Sequence, residues 1–148
     1  YRNVIGIWIR RILSGESIVI FGDGEQKRAF SDIKFCLEPL EKLLTMGDGE
    51  IFNLGSDQER TLNEVALLLE DVVGEFNFKP KIEHLSARHE VKNAYSDHQK
   101  AKDLLEFKDM TNLKETMREM FIWAMKQEDR EVKQMPYEIE KGMYSYWK

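Results

Sequence analysis

Two short clusters in this 148-residue chain carry side chains suited to holding a phosphorylated ligand. The first is Ile18-Val-Ile-Phe-Gly-Asp-Gly-Glu-Gln-Lys-Arg-Ala-Phe30, an apolar strand followed by a glycine turn and an arginine. Phe21, at the end of the strand, can stack on a planar ring, and Arg28, beyond the turn, can fork onto phosphate oxygens. The second cluster is Arg88-His89-Glu90-Val91. Residues two apart in an extended segment point to the same side, which would set the Arg88 cation beside a Glu90 carboxylate able to accept a sugar hydroxyl. Each cluster also has a plainer reading. Gly-Asp-Gly is a common turn or hairpin sequence, and an exposed Arg–Glu pair contributes little to stability.

Other spacings fall short of chemistry. Gly22-Asp-Gly-Glu-Gln-Lys27 opens like a dinucleotide fingerprint, but Lys27 stands where the third glycine belongs. It also runs into Arg-Ala-Phe, read as irregular, rather than into a helix start, so it is not assigned to a cofactor. Tyr95 and Lys100 are offset by one position from a pair sharing a helix face, and they are rejected as a catalytic pair. His84, His89 and His98 lack ligand spacing and read as surface or strand-end residues, with no zinc site. Asp48 with Glu50, and Glu138 with Glu140, read as solvated charge. Cys36 is a single cysteine without a disulfide or metal partner.

The composition, 42% apolar and 33% charged, is that of a soluble globular chain with a real core. A net charge of −5 argues against a general affinity for nucleic acid, while leaving room for a local cationic pocket. No apolar run reaches membrane-spanning length and no signal peptide is visible, so the expected location is the cytoplasm. The opening Tyr1-Arg-Asn without an initiator Met is expected of a piece of something longer.

The elements that must position these clusters follow from periodicity. Ile5, Trp8, Ile9 and Ile12 lie on one face of a helix that should end near Ser14-Gly15. Ile18 to Phe21 is a buried strand, and Gly22-Asp-Gly24 its turn. From Ser31 a helical pattern places Ile33, Leu37, Leu40, Leu43 and Leu44 on one side, with Pro39 either kinking the helix or starting it. Glu50 to Gly55 reads as a second strand. Thr61-Leu-Asn-Glu64 is a capping box opening a helix that Gly74 should stop. Pro80 to His84 is a third strand. Asp97 caps a short helix through Leu105, and Thr111 or Asn112 caps a longer one that buries Leu113, Met117, Met120, Phe121 and Ala124. The aromatic tail from 128 to 148 reads as a surface strap beside a lobe spanning 1–127. The first helix and the Pro39 segment are expected to expose apolar surface. The result is an α/β unit, a small mostly helical lobe with a few short strands.

Taken in order, these segments resemble the C-terminal part of the extended short-chain dehydrogenases, the NAD-dependent nucleotide-sugar epimerases and dehydratases typified by UDP-glucose 4-epimerase. The resemblance runs from Tyr1 to about Gln127. It rests on Tyr-Arg-Asn-Val-Ile-Gly-Ile, on Ile-Phe-Gly-Asp-Gly-Glu-Gln-x-Arg-x-Phe, and on Ile-Phe-Asn-Leu-Gly-Ser at 51–56. Thr-Leu-Asn-Glu-Val-Ala at 61–66 and Arg88-x-Glu-Val followed by Tyr-Ser-Asp-His-x-Lys-Ala-Lys102 complete it. It implies a lobe that holds the nucleoside diphosphate of a UDP-sugar. Asn3 and Val4 would lie by the base or ribose, Phe21 would pack on the base, Arg28 and Arg88 would clamp the diphosphate, and Glu90 would take ribose hydroxyls. It implies a preceding Rossmann domain carrying NAD and the catalytic Tyr-x-x-x-Lys, neither of which is in this chain, and a homodimer of the full enzyme. Ala29, where the family usually has aspartate, and Asp32-Ile33-Lys34-Phe35, where it runs roughly Tyr-Val-Asp-Asp, are departures. A non-catalytic nucleotide-sugar-binding or protein-interaction module that kept this fold is the alternative.

Overall fold

The computed structural model describes residues 3–46 and 49–128. The chain runs α1 (Val4–Leu13), β1 (Ile18–Phe21), β2 (Lys27–Ala29), α2 (Lys34–Lys42), β3 (Glu59–Thr61), α3 (Leu62–Gly74), β4 (Ile82–Leu85), β5 (Asn93–Ala94), α4 (Gln99–Leu105) and α5 (Leu113–Met125). This is a mixed α/β lobe in which helices outweigh short strands.

Local sequence accounts for the long helices. Asn3 accepts the Gly6 N–H on its Oδ1 at 3.2 Å and caps α1. The predicted face of α1 (Ile5, Trp8, Ile9 and Ile12) is buried, and the Trp8 indole donates to the Val19 carbonyl at 2.8 Å, tying the helix to β1. The expectation that α1 exposes an apolar surface is therefore corrected: only Ile7, on its far side, is substantially open. Thr61 and Glu64 form the reciprocal capping box of α3, and Asn112 caps α5. The main core joins α1, β1, α3 and α5, with Phe76 and Phe78 packed around the Phe121 ring. A smaller core holds Cys36, Ala101, Leu105 and Phe107.

The strands form two small sheets. β1 pairs in parallel with β4, Ile18 opposite Ile82 and Phe21 opposite Leu85. β2 lies between β3, antiparallel with Arg28 opposite Arg60, and β5, parallel with Arg28 opposite Ala94.

Three further expectations change. Residues 50–55 form no strand. Phe52 and Leu54 pack on the smaller core, but no neighbouring strand is in register, and side chains serve the backbone instead. The Lys100 ammonium donates to the Ile51 carbonyl at 3.0 Å, and Ser56 N–H donates to Ser31 Oγ at 2.6 Å. Conversely, Lys27–Ala29, read as irregular, is a strand because the glycine turn folds it between two partners. Helix α2 starts at Lys34, with Pro39 buried inside it, and packs through Cys36 and Pro39. Its stripe of Ile33, Leu37, Leu40 and Leu44 faces outward, with Leu44 83% exposed. The aromatic tail, Asp48 and the Glu138–Glu140 pair lie outside the described residues.

Candidate functional site

The glycine turn brings the predicted clusters together. Gly22 and Gly24 have φ of +80° and +77°, the left-handed region that glycine occupies without strain. Gly24 is also held close to Asn63: a Cβ there would lie 2.0 Å from the Asn63 side chain. Asn63 Nδ2 donates to the Asp23 carbonyl at 2.9 Å and to Glu25 at 2.7 Å, and the buried Gln26 Nε2 donates back to the Phe21 carbonyl at 2.9 Å. The turn therefore leads from the end of β1, at Phe21, into β2, which carries Arg28. The irregular segment between β4 and β5 supplies Arg88 and Glu90.

Glu90 sits between the two arginines. Its Oε1 accepts from Arg88 Nη2 at 2.7 Å, and its Oε2 lies 3.6 Å from Arg28 Nη2. Arg28 also donates through Nη1 to the Lys27 carbonyl at 2.7 Å, which fixes its side chain along the sheet. The Arg88 guanidinium carbon stands 3.5 Å from the centroid of the Phe21 ring, a cation–π contact. The three charged side chains remain 20–28% exposed. Two guanidiniums against one carboxylate leave a local excess of positive charge inside an acidic chain.

Four of the six residues singled out from sequence thus meet: Phe21, Arg28, Arg88 and Glu90. Asn3 and Val4 stand at the head of α1, where Asn3 is engaged in capping and Val4 packs against the core. Arg60 belongs beside the four. It is directly opposite Arg28 across the β2–β3 pair, so both side chains leave the same face of the sheet. Its guanidinium donates to Gln58 at 2.9 Å. Arg60 is not singled out from sequence, which places the strand at 50–55 rather than at Glu59–Thr61.

A second polar group is built quite differently. Asp109 accepts four bonds: from Ser56 Oγ at 2.7 Å, Asp57 N–H at 3.1 Å, Thr111 N–H at 3.1 Å and Thr111 Oγ1 at 2.6 Å. Burial pushes its carboxyl up, and these hydrogen bonds together outweigh that and hold it below the usual aspartate value. Asp32 is buried beside it, accepting from Lys34 N–H at 2.9 Å and Thr116 Oγ1 at 2.8 Å, so this departure from the family pattern starts α2 and ties it to α5. His98, expected on the surface, is 3% exposed, a correction to the sequence reading. It is held by Ser96 at 2.9 Å and Asp57 at 3.2 Å, with its ring edge-on to Phe107. A hydrogen bond from Lys102, then one from His98, holds the Asp57 carboxyl low. His84 meets its expectation as a strand residue, with Nδ1 2.8 Å from the Gly22 carbonyl.

A cavity of about 500 Å³ opens at the other end of β1, between Arg11, Ser17, Phe78, Lys79 and Lys81. It is shallow and solvent-lined, and the charged cluster lies beyond the opposite end of the strand. The glycine turn does not fit NAD. It leads into strand β2 rather than into a helix, and the first turn of α3 is already closed onto it, with Asn63 N–H donating to the Gly24 carbonyl at 3.1 Å and the Asn63 side chain filling the space beside Gly24. Among the described residues no group of three or more His, Cys, Asp or Glu is placed to hold a metal, and no helix is long and apolar enough to cross a membrane.

Comparison with known proteins agrees with this architecture. Residues 1–55 match the model of the NAD dependent epimerase/dehydratase family. The chain is 28% identical over 131 residues to UDP-N-acetyl-alpha-D-glucosaminuronate decarboxylase of Bacillus cytotoxicus, covering 83% of this chain and 40% of that protein. It is 32% identical over 112 residues to a Bacillus subtilis protein described as an uncharacterized UDP-glucose epimerase, covering 72% of this chain and 34% of that one. Among solved structures, UDP-glucose 4-epimerase of Thermotoga maritima, crystallised with UDP-glucose, superposes with a TM-score of 0.72 at 27% identity, over 84% of this chain and 40% of that chain. UDP-glucuronic acid 4-epimerase of Bacillus cereus, solved with UDP-glucuronic acid and NAD, shares the fold with a TM-score of 0.73 at 23% identity, over 84% and 40% of the two chains. The chain spans about 40% or less of these relatives' length. This mixed α/β chain is a part-length relative of the NAD-dependent epimerase/dehydratase family.

Proposed function

We propose that this chain is the nucleotide-holding part of a cytoplasmic, NAD-dependent enzyme that epimerises, dehydrates or decarboxylates a nucleotide-sugar. The ligand of the cluster is the nucleoside diphosphate half of a UDP-sugar. The observation that carries this reading is the convergence of Arg28 and Arg88 on a single carboxylate beside the Phe21 ring. Planar guanidiniums match the paired oxygens of phosphates better than ammonium groups do, and here two of them face one small volume. In this reading Arg28 and Arg88 take the diphosphate, Phe21 the base, and Glu90 the ribose hydroxyls. Backbone groups at Asn3 and Val4 read the edge of the base. The related structures solved with UDP-sugars support the choice of ligand. NAD and the residues that move protons on the sugar are assigned to the part of the full protein outside this chain, including a Rossmann domain through which the enzyme dimerises.

The test is a titration of isotopically labelled protein with UDP, followed by NMR. Signals of Phe21, Arg28 and Arg88 should move, and Arg28→Ala should remove the response. An equal response to ATP, or none to UDP by either this chain or the full-length protein, would overturn the assignment.

A further inference from the structure

We propose that Glu90 is an internal stand-in for the ligand's phosphates, so that the site is self-occupied and opens only for a ligand able to displace this carboxylate from both arginines. The inference rests on the preceding reading and adds a second state to it. Glu90 offers one oxygen to each guanidinium, at 2.7 Å from Arg88 and 3.6 Å from Arg28, which is how a bridging phosphate would divide its own oxygens. In the same arrangement the Arg88 guanidinium covers a face of the Phe21 ring at 3.5 Å, so a base cannot stack on that face until Arg88 leaves. Both obstructing side chains come from the irregular segment between β4 and β5. Arg28 and Phe21 sit on paired strands. The half of the cluster that blocks it is therefore the half that no paired strand holds.

This arrangement selects its ligand by charge. Arg60 and Arg28 leave the same sheet face, so removing Glu90 exposes a cationic surface. A nucleoside monophosphate replaces one bridging anion by another at one position. A diphosphate reaches both arginines at once and frees Glu90 for the ribose hydroxyls. Glu90 thus acts first as a latch and then as a ligand contact, favouring diphosphates over monophosphates.

Inorganic pyrophosphate separates these two roles, because it has phosphates and no ribose. By calorimetry on the full 148-residue chain, Glu90→Gln should bind pyrophosphate about tenfold more tightly than the unmodified protein, the size expected when a charge-assisted competitor is removed. The gain for UDP should be smaller, since the ribose contact weakens too. Pyrophosphate affinity unchanged or lowered in Glu90→Gln, with UDP binding still lost in Arg28→Ala, would overturn the latch and leave the nucleotide site standing. Indifference of both ligands to Arg28→Ala would remove the site itself. A second readout needs no variant: saturating pyrophosphate should shift the Phe21 ring signals of the unmodified protein as Arg88 leaves the ring, and unmoved signals would overturn the proposal.

Discussion

The arginine–glutamate cluster and the Asp109 network use similar polar chemistry toward opposite ends. Asp109 is surrounded by hydroxyl and backbone N–H donors, and its four bonds bind the 56–57 segment to the 109–111 turn. Such a carboxylate is fixed, because moving it strands several short, mostly part-buried donors together. Glu90 is satisfied by two charged side chains at the edge of solvent, and in the proposed reading a phosphate replaces it at each. A charged group is thus structural when its partners are short side chains and backbone N–H groups held by the fold. It is more readily exchanged when its partners are long, charged and partly exposed.

Removing Asp109 should have the largest effect. Asp109→Ala leaves two hydroxyls and two N–H groups without their acceptor and should cost about 3 kcal/mol in urea unfolding. The folded protein's affinity for UDP should stay as it was. If affinity fell as steeply as stability, the two regions would be one unit. Arg88→Ala reverses the pattern: UDP binding should weaken about tenfold or more by calorimetry, while the unfolding free energy shifts by less than about 1 kcal/mol, as befits a partly exposed ion pair. A collapse of the fold in Arg88→Ala would erase the contrast.

Acid should act on the network as well. Because the folded-state value of Asp109 is depressed, the stability it contributes is fully present above the ordinary aspartate value and is lost as pH falls through the lower, folded one. Thermal melts taken downward from about pH 4 should therefore lose stability less steeply in Asp109→Asn than in the unmodified chain. A parallel decline in the two proteins would show that other carboxylates govern acid unfolding. The smallest effect concerns Cys36, whose thiol is pushed up mainly by burial in the smaller core. It should react with iodoacetamide slowly in buffer and quickly in urea, and rapid labelling of the native chain would mean that the core beneath Phe52 and Leu54 opens readily.

Much of this molecule is legible locally. Helices α1, α3 and α5 appear where apolar periodicity and capping residues put them, since a helix is satisfied by residues three and four positions apart. The failures share a cause. Residues 50–55 have a strand's alternation but no partner in register, and β2 is a strand only because β3 and β5 flank it. The apolar stripe on α2 is exposed, as expected of the Pro39 segment, but that the helix packs through Cys36 and Pro39 is set by its neighbours. His98 is buried by partners supplied from Asp57 and Phe107, which its neighbours in sequence do not announce.

The amino-acid sequence by itself determined the long helices, the glycine turn and the presence of two guanidiniums, Arg28 and Arg88, as candidates for a phosphate, because propensity, capping and guanidinium chemistry belong to the residues themselves. Only the tertiary structure decided that Glu90 bridges the two arginines, that Arg88 covers Phe21, and that Arg60 stands opposite Arg28. Those are contacts between segments far apart in the chain, and their distances depend on how every intervening element packs.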